Sequence, residues 1–515
     1  MKKLNVCGTE YVDAVVIGGG VLGCFAARNL RRWNISVLLM EEKEDVCMGI
    51  TRANSAIVYS GYDNKPGSRK ARMTVKANAE FEDLCRELDV PFVRCGSLAA
   101  AFGPKGEQVL KEKYEQGLKN GVPDLQLISG KEAREIEPHL TKDVTMALYA
   151  PTTGTVNPWK LGIAAFENAR HNGCQVWLNT RVTGLKKSEQ GYLVECKRKN
   201  ASIVPTGLTP EADRLGNESE NPENSKHSGD GLKRVACRAV INCAGLFSDQ
   251  IQELLFSPSI RLFPDGAGFL VLDRSVSGPE HIVFQETEEE GKGITAIPAV
   301  EGNLLVASPK RNQQGELFST DDKVMGVMKQ MASAVLPQVD FGSVIRSFGA
   351  VRPNPHRVVE MESVQGLQKW TRDGKSIGSF SIEHPAPGFY SLIGIKTPGL
   401  TCANELGNYL AEQTAEYLHA APNPDFNPRR RGIPSVHQMN FEERSALVAE
   451  HPEYGAIICQ CEDVSRGEIV EAIRRGAVTA DGVKRRVGSG MGRCQGGRCS
   501  LKIEKILQEF RNQTG

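Results

Sequence analysis

Four cysteines stand as two close pairs near the end of this 515-residue chain: Cys459-Gln-Cys461 and Cys494-Gln-Gly-Gly-Arg-Cys499. Two thiolate pairs are what a metal centre needs when the fold between them sets the distance across it. Four sulfur ligands suit zinc or an iron–sulfur cluster. The second pair lies in the run Gly488-Ser-Gly-Met-Gly-Arg-Cys-Gln-Gly-Gly-Arg-Cys499. Such a loop can turn backbone N–H groups toward sulfur and stabilise its negative charge. A zinc ribbon more often uses Cys-x-x-Cys on both sides, which makes zinc the competitor rather than the first reading.

A second chemistry is written at the other end. The apolar run Asp13–Ile17 leads into Gly18-Gly19-Gly20-Val21-Leu22-Gly23, a helix-compatible stretch Cys24–Arg32, and a second apolar run Ser36–Met40 closed by Glu41. This is strand, glycine turn, helix, strand, acid, the order of a dinucleotide site. Gly18 permits the tight turn. Gly20 lets a pyrophosphate approach the backbone, and Gly23 lets the helix pack on the strand. Glu41 can accept from a ribose hydroxyl. This unit alone does not separate NAD from FAD. Two later strand-like runs favour FAD: Ala239–Gly245, and Phe389–Ile395, which continues into Lys396-Thr-Pro-Gly-Leu-Thr401. A strand, a glycine turn and a helix start can place dipoles against an anionic ring.

The cysteine segment, roughly Ala456 to Phe510, resembles the small 2Fe–2S domain of the bacterioferritin-associated ferredoxin type. The likeness rests on Cys459-x-Cys461-Glu-Asp-Val, the helix-like run Ser465–Arg475 and the Cys494-x4-Cys499 pair. It implies Cys459, Cys461, Cys494 and Cys499 as ligands of a 2Fe–2S cluster. From about Tyr11 to Ala420 the chain resembles the glycerol-3-phosphate and 2-hydroxyglutarate dehydrogenase branch of the D-amino-acid-oxidase-like flavoproteins. The most specific piece is Thr51–Lys70, which in that branch passes beside the flavin. Gly154–Trp159, Gly349–Pro353 and the Gly394–Thr401 turn also match.

The resemblance implies FAD held by Gly18, Gly20, Gly23, Glu41, Thr51, Asn54, Ser55, Gly245, Gly394, Thr397, Gly399, Leu400 and Thr401. Tyr59 stands where the branch usually has His. A phenol, with an ordinary pKa of about 10, is a poor base at neutral pH, yet Tyr59 is the nearest proton-handling group. Lys396-Thr397 replaces a common Gln-Ser and is similar to the Gly-Lys turn of glycerol-3-phosphate dehydrogenases. Arg352 and Lys396, with Arg52 as a third, are the candidate cations for an anionic substrate.

These sites need elements to position them. The expected fold class is α/β: a discontinuous Rossmann-like FAD-binding domain, an antiparallel-sheet substrate domain and a small C-terminal helical 2Fe–2S domain. The FAD domain is assigned to 1–90, 151–250 and 375–420, and the substrate domain to 91–150 and 251–374. A proline-rich linker covers 421–454, and the cluster domain 455–515. Helices are expected at Ala77–Leu88 and Glu107–Asn120. Residues 199–230, rich in Asn, Ser, Glu, Gly and Pro, read as a flexible hairpin insertion.

Composition narrows the class. The net charge of +1 predicts no nucleic-acid surface. The basic run Arg429-Arg-Arg431 reads as solvated linker, and Lys484-Arg-Arg486 as a candidate dock for an acidic redox partner. No apolar run reaches membrane-spanning length, and the N-terminus lacks a secretory apolar core. Peripheral membrane association stays open. The remaining cysteines read as buried free thiols in a reducing, cytoplasmic compartment, with Cys47 as an alternative flavin-attachment or redox site.

The whole describes an FAD-dependent dehydrogenase of a small anionic alcohol, glycerol 3-phosphate first. Electrons would pass through the cluster to a partner protein or flavoprotein subunit, since a direct reaction with oxygen needs no cluster. The alternatives are a 2-hydroxy acid such as 2-hydroxyglutarate, an amino or imino acid, and a non-catalytic electron-transfer subunit.

Overall fold

The computed structural model describes residues 9–199, 231–286, 293–308, 319–320, 322–364, 367–374 and 376–514. Beyond Lys199, the expected insertion lies outside the described residues. Val12, Ala14, Val15, Val16 and Ile17 are all buried, as a strand covered on both faces must be. Their strand, Thr9–Ile17, pairs in parallel with Val37–Met40 on one side and Leu232–Asn242 on the other. Gln175–Trp177 and Phe389–Ile393 extend the parallel set, and the hairpin Thr180–Ser188/Gly191–Arg198 caps one edge. Segments from three distant stretches of chain thus build one sheet. The helices Val21–Leu30 and Ala403–Leu418 pack against each other over it, through Ala26, Ala27, Leu406, Leu410 and Ala411.

The second sheet orders its strands Val344–Arg352, Asp265–Leu272, Leu304–Ala307, Thr295–Pro298, Ile282–Gln285, Ser97–Ala101, Met146–Ala150 and Gln126–Ser129. The pairing is antiparallel except where Ile282–Gln285 runs parallel to Ser97–Ala101, the point at which the two separated pieces of chain meet. Helix Asp322–Val335 covers one face with Met325, Met328, Ala332 and Val335, the spacing of a single helical stripe. The helix expected at Ala77–Leu88 begins earlier, at Arg69, where Ser68 accepts from the Ala71 N–H. Its charged first turn hides the apolar period that runs through Ala71, Ala77, Phe81, Leu84 and Leu88.

Residues 421–436 are extended, as four prolines require, yet they are not a free linker. Asn34 N donates to Ala421 O, Asn423 N to Arg32 O, and the Asn168 amide to the carbonyls of Asn427 and Arg429. Arg430 is not solvated: its Nε donates to Glu167 Oε2 at 2.7 Å and its Nη1 to Leu88 O. The strap leads to a small lobe of hairpin Ile457–Cys459/Val464–Ser465 and helices Arg466–Arg474, Ala480–Val487 and Ser500–Thr514. A capping box of Ser465 and Glu468 starts the first of these helices. Ile469, Ile473, Val483, Ile503 and Leu507 form the lobe's core.

Arg485 and Arg486 overturn the docking reading of Lys484–Arg486. Both are buried, and both reach Asp45 in the nucleotide domain, at 2.8 and 2.7 Å. Arg486 also donates to the second Asp45 oxygen. Arg475 reaches Glu167 at 3.2 Å, and Arg274 of the substrate domain donates to Cys461 O at 2.5 Å. The lobe is therefore fixed to both larger domains.

Candidate active site and thiol cluster

A cavity of about 1640 Å³ opens where the parallel strands end and runs to the substrate sheet. Gly18 and Gly20 line its start. Gly18 takes a φ of +102°, and a Cβ there would lie 2.5 Å from Cys243 O. A Cβ on Gly20 would meet nothing closer than Thr51 Oγ1 at 3.5 Å, so this side is open to a ligand. Gly20 at the N-cap of helix Val21–Leu30 supplies no side-chain cap, and the first turn holds no acid. Its positive end faces the cavity unneutralised, which suits a pyrophosphate. Gly23 lies beneath the cavity: a Cβ would sit 1.8 Å from Gly18 O. Gly23→Ala must push helix from strand, by the cost of an overpacked core, about 1–3 kcal/mol. We expect the variant to purify with most of its FAD missing by absorbance, and full occupancy would refute the assignment.

Glu41 closes the second strand. Its Oε2 accepts from Gly19 N at 2.6 Å and its Oε1 from Lys43 N at 2.8 Å. Burial raises its pKa against the pull of these N–H groups. The backbone bonds fix the carboxylate at the cavity wall and leave each oxygen a lone pair for a ribose hydroxyl. Thr51 accepts from Val21 N and ties the helix start to the Thr51–Ser55 turn. Asn54 serves that turn: it donates to Thr51 O and accepts from Ala56 N, whose φ is +59°. Ser55, Gly245, Thr397, Gly399 and Leu400 also line the cavity.

Besides Gly23, two of the expected residues do not line it. Gly394 shapes the turn, with φ +64° and no room for a Cβ between Leu262 and Pro353 O. Thr401 is buried, and its hydroxyl accepts from Tyr59 N and donates to Ile57 O. It holds the Ile57–Tyr59 segment against the turn instead of facing a ligand. Cys47 is also buried off the cavity, its thiol paired with Cys24, and so it is not placed for flavin attachment.

The far wall carries the chemistry. Arg352, at the end of strand Val344–Arg352, lines the cavity, and among the described residues no group pairs with its guanidinium. Lys396 Nζ donates to Ser376 Oγ at 2.9 Å and Asn354 Oδ1 at 3.3 Å. Tyr59 stacks on Phe284 at 6.2 Å between centroids, and its hydroxyl has no hydrogen-bond partner among the described residues. Phe269, Phe284, Ser308 and Ser60 join this wall. The Ser60 hydroxyl is buried and unsatisfied, a vacancy a polar ligand atom would fill. Sequence reading missed these four, because Phe269 and Phe284 face the cavity by strand register and Ser60 and Ser308 lie just past strand ends, placements that residue type does not supply.

In the lobe the thiols pair two by two, Cys461 with Cys494 and Cys459 with Cys499. Gly490 N–H donates to Cys459 Sγ at 3.4 Å. The Arg498 N–H lowers the pKa of Cys494, while burial pushes Cys499 up to about 12. Two thiols beside two thiols fits a two-iron cluster, with two thiolates for each iron, better than one tetrahedral zinc.

The comparisons agree with this geometry. Residues 13–413 match the family of FAD dependent oxidoreductases, and residues 457–509 the BFD-like 2Fe-2S binding domain. The chain is 34% identical over 504 residues to a glycerol 3-phosphate dehydrogenase of Caloramator mitchellensis, covering 96% of this chain and 93% of that one. It is 29% identical to a mitochondrial L-2-hydroxyglutarate dehydrogenase of Nematostella vectensis, over 49% of this chain and 51% of that one. A solved L-alpha-glycerophosphate oxidase of Mycoplasma pneumoniae with FAD bound shares the fold, with TM-score 0.65 and 20% identity over 82% of this chain and 99% of that one. Among the described residues no helix is long and apolar enough to cross a membrane.

Proposed function

We propose, on the premise that this chain belongs to the FAD-dependent oxidoreductase family and carries a 2Fe-2S-binding domain, that it oxidises glycerol 3-phosphate to dihydroxyacetone phosphate and exports the electrons singly to a partner protein. Arg352 carries the reading: a cation in the cavity wall with no partner among the described residues selects an anionic substrate. The relative matched along nearly the whole length supports the choice of glycerol 3-phosphate. Bound FAD supplies the hydride acceptor. The chain does the rest. Arg352 and Lys396 hold the phosphate, Phe269 and Phe284 exclude water, and Tyr59 handles the proton of the substrate hydroxyl. Thr401 sets Tyr59 through the backbone. The lobe's attachment to Asp45 and to Arg274 supports a cluster at fixed distance from the cavity. A cytoplasmic setting suits the free buried thiols.

Anaerobic titration of the FAD-loaded protein tests this. Glycerol 3-phosphate should bleach the flavin, and neither enantiomer of 2-hydroxyglutarate nor proline should do so as fast. Bleaching by 2-hydroxyglutarate alone would reassign the substrate, and bleaching by none would remove the enzyme assignment. Tyr59→Phe should slow flavin reduction roughly 100-fold, the usual scale of a lost proton-transfer group, and flatten its pH profile. An unchanged rate and profile would exclude Tyr59 as the base.

A further inference from the structure

The four cluster thiols are not equally covered. Cys459 and Cys499 are buried, whereas Cys461 and Cys494 are partly exposed. Cys461 is covered from one side by Arg274, which binds its carbonyl and stands 3.7 Å from Glu462. The side left open is that of Cys494, and the chain that follows it is predominantly basic. Arg498 lies directly on it, its N–H hydrogen-bonded to Cys494. Helix Ser500–Thr514 starts at the next ligand, Cys499, and Ser500 Oγ locks it to Gly496 O at 2.7 Å.

Leu501 and Lys502 stand four and three residues before Lys505, so the three lie on one side of the helix, and Arg498 is in the turn that leads into it. All four are exposed, and Leu501 is 80% exposed. The opposite stripe, Ile503, Ile506 and Leu507, is in the core. None of the three cations has an ion-pair partner among the described residues. Of the nearby acids, Glu509 pairs with Arg466 at 3.0 Å, Glu462 faces Arg274 and Asp463 faces His437 at 3.3 Å, while the half-buried Glu504 offsets one of the three cations. Arg493 lies beside Asp273 and adds nothing to the stripe.

We infer that Arg498, Leu501, Lys502 and Lys505 form the docking surface for an acidic one-electron carrier protein, which takes its electron at the Cys494 edge. An uncovered leucine ringed by unpaired cations beside a redox centre is the anatomy of a transient electron-transfer contact: a small apolar centre and a charged rim that steers the partner. This surface replaces Lys484–Arg486, whose arginines are spent on Asp45. The inference rests on the electron export proposed above. In each encounter one electron leaves the protein and one oxidised centre of the carrier gains it, with no proton or bond exchanged.

The test uses the full-length protein carrying FAD and cluster, and two haem probes of opposite surface charge: the acidic haem domain of cytochrome b5 and the basic cytochrome c. Oxidised protein is titrated with each oxidised probe at low and at physiological salt, which reads docking without substrate or turnover. Protein reduced with dithionite and then desalted anaerobically is mixed with each probe in stopped flow. Cytochrome b5 should bind at low salt and be reduced with a second-order rate about tenfold or more above that at high salt, as steered association predicts. The double variant K502E/K505E should weaken binding and slow that reduction by about tenfold while leaving the flavin and cluster spectra unchanged. With cytochrome c the same variant should accelerate. Salt-independent binding of cytochrome b5, or equal response of both probes to the charge reversal, would overturn the surface. Absence of flavin bleaching by any substrate would instead strike the enzymatic reading and leave these binding results standing.

Discussion

Asp45→Ala should destabilise docking of the C-terminal lobe by about 3–5 kcal/mol, the cost of leaving buried charge uncompensated. Asp45 is 2% exposed and is held by two guanidiniums that are themselves buried. Removing the carboxylate leaves the buried Arg486 without an ion-pair partner among the described residues and Arg485 with Asp481 alone, while removing both guanidiniums strands the one carboxylate. Replacing all three by apolar groups of similar volume should be close to neutral, because desolvation of the charges disappears together with their attraction. The measurement is denaturant unfolding of the loaded protein followed at the cluster's visible absorbance, compared with the flavin signal. A loss below about 1 kcal/mol, the scale of an exposed pair, would show that water reaches this contact.

The same contact sets a pH dependence. Burial works against the charge on Asp45, but Arg486 and Arg485 outweigh it and hold the carboxyl below its ordinary range. Glu167 is lowered in the same way, with burial opposed by Arg430 and Arg475. A carboxyl depressed in the folded state stabilises it fully above the unfolded pKa, and the contribution is lost as pH falls through the folded one. Lobe attachment should therefore be flat across neutral pH and fail only in acid, below the usual carboxylate range of about 4. Loss of attachment near pH 6 to 7 would point to histidine instead.

These contacts also show which parts of the molecule could be read in one dimension. The Gly18–Gly23 turn was legible because local sterics dictate it: Gly18 and Gly23 crowd one another, and no other residue fits. The cysteine pairs were legible because ligand spacing is local. Arg485 and Arg486 were not, since a basic triplet looks solvated until a carboxylate 440 positions away in sequence buries it. Thr401 belongs to the motif that frames the site, but the direction of its hydroxyl depends on packing against Tyr59. Phe269 and Phe284 reach the cavity through sheet register, and Ser60 and Ser308 through the loops after their strands, neither of which residue type encodes. The helix face of Lys502 was available as a period, but its meaning required knowing which cysteine is uncovered.

Cys461→Ala combined with Cys494→Ala should separate the two halves of the proposed reaction. None of the described residues of 455–514 lines the large cavity, and so FAD should remain bound at full occupancy with an unchanged flavin spectrum. Substrate should bleach it within about twofold of the parent rate, because Arg352, Lys396 and Tyr59 are untouched, and a change that small lies within half a kcal/mol. The cluster's own visible and electron paramagnetic resonance signals should vanish, since the paired geometry leaves only Cys459 and Cys499 to hold iron. Turnover with a one-electron haem acceptor should fall by more than the roughly 10–100-fold that loss of a residue merely hydrogen-bonded to a ligand brings. Serine at either position would be a weaker test, because an oxygen can still ligate. The discriminating measurement is the ratio of single-turnover flavin reduction to steady-state acceptor reduction. A large rise in that ratio places the exit at the cysteines. An unchanged ratio would mean that electrons leave from the flavin itself and that the lobe, held by Asp45 and Glu167, serves another purpose.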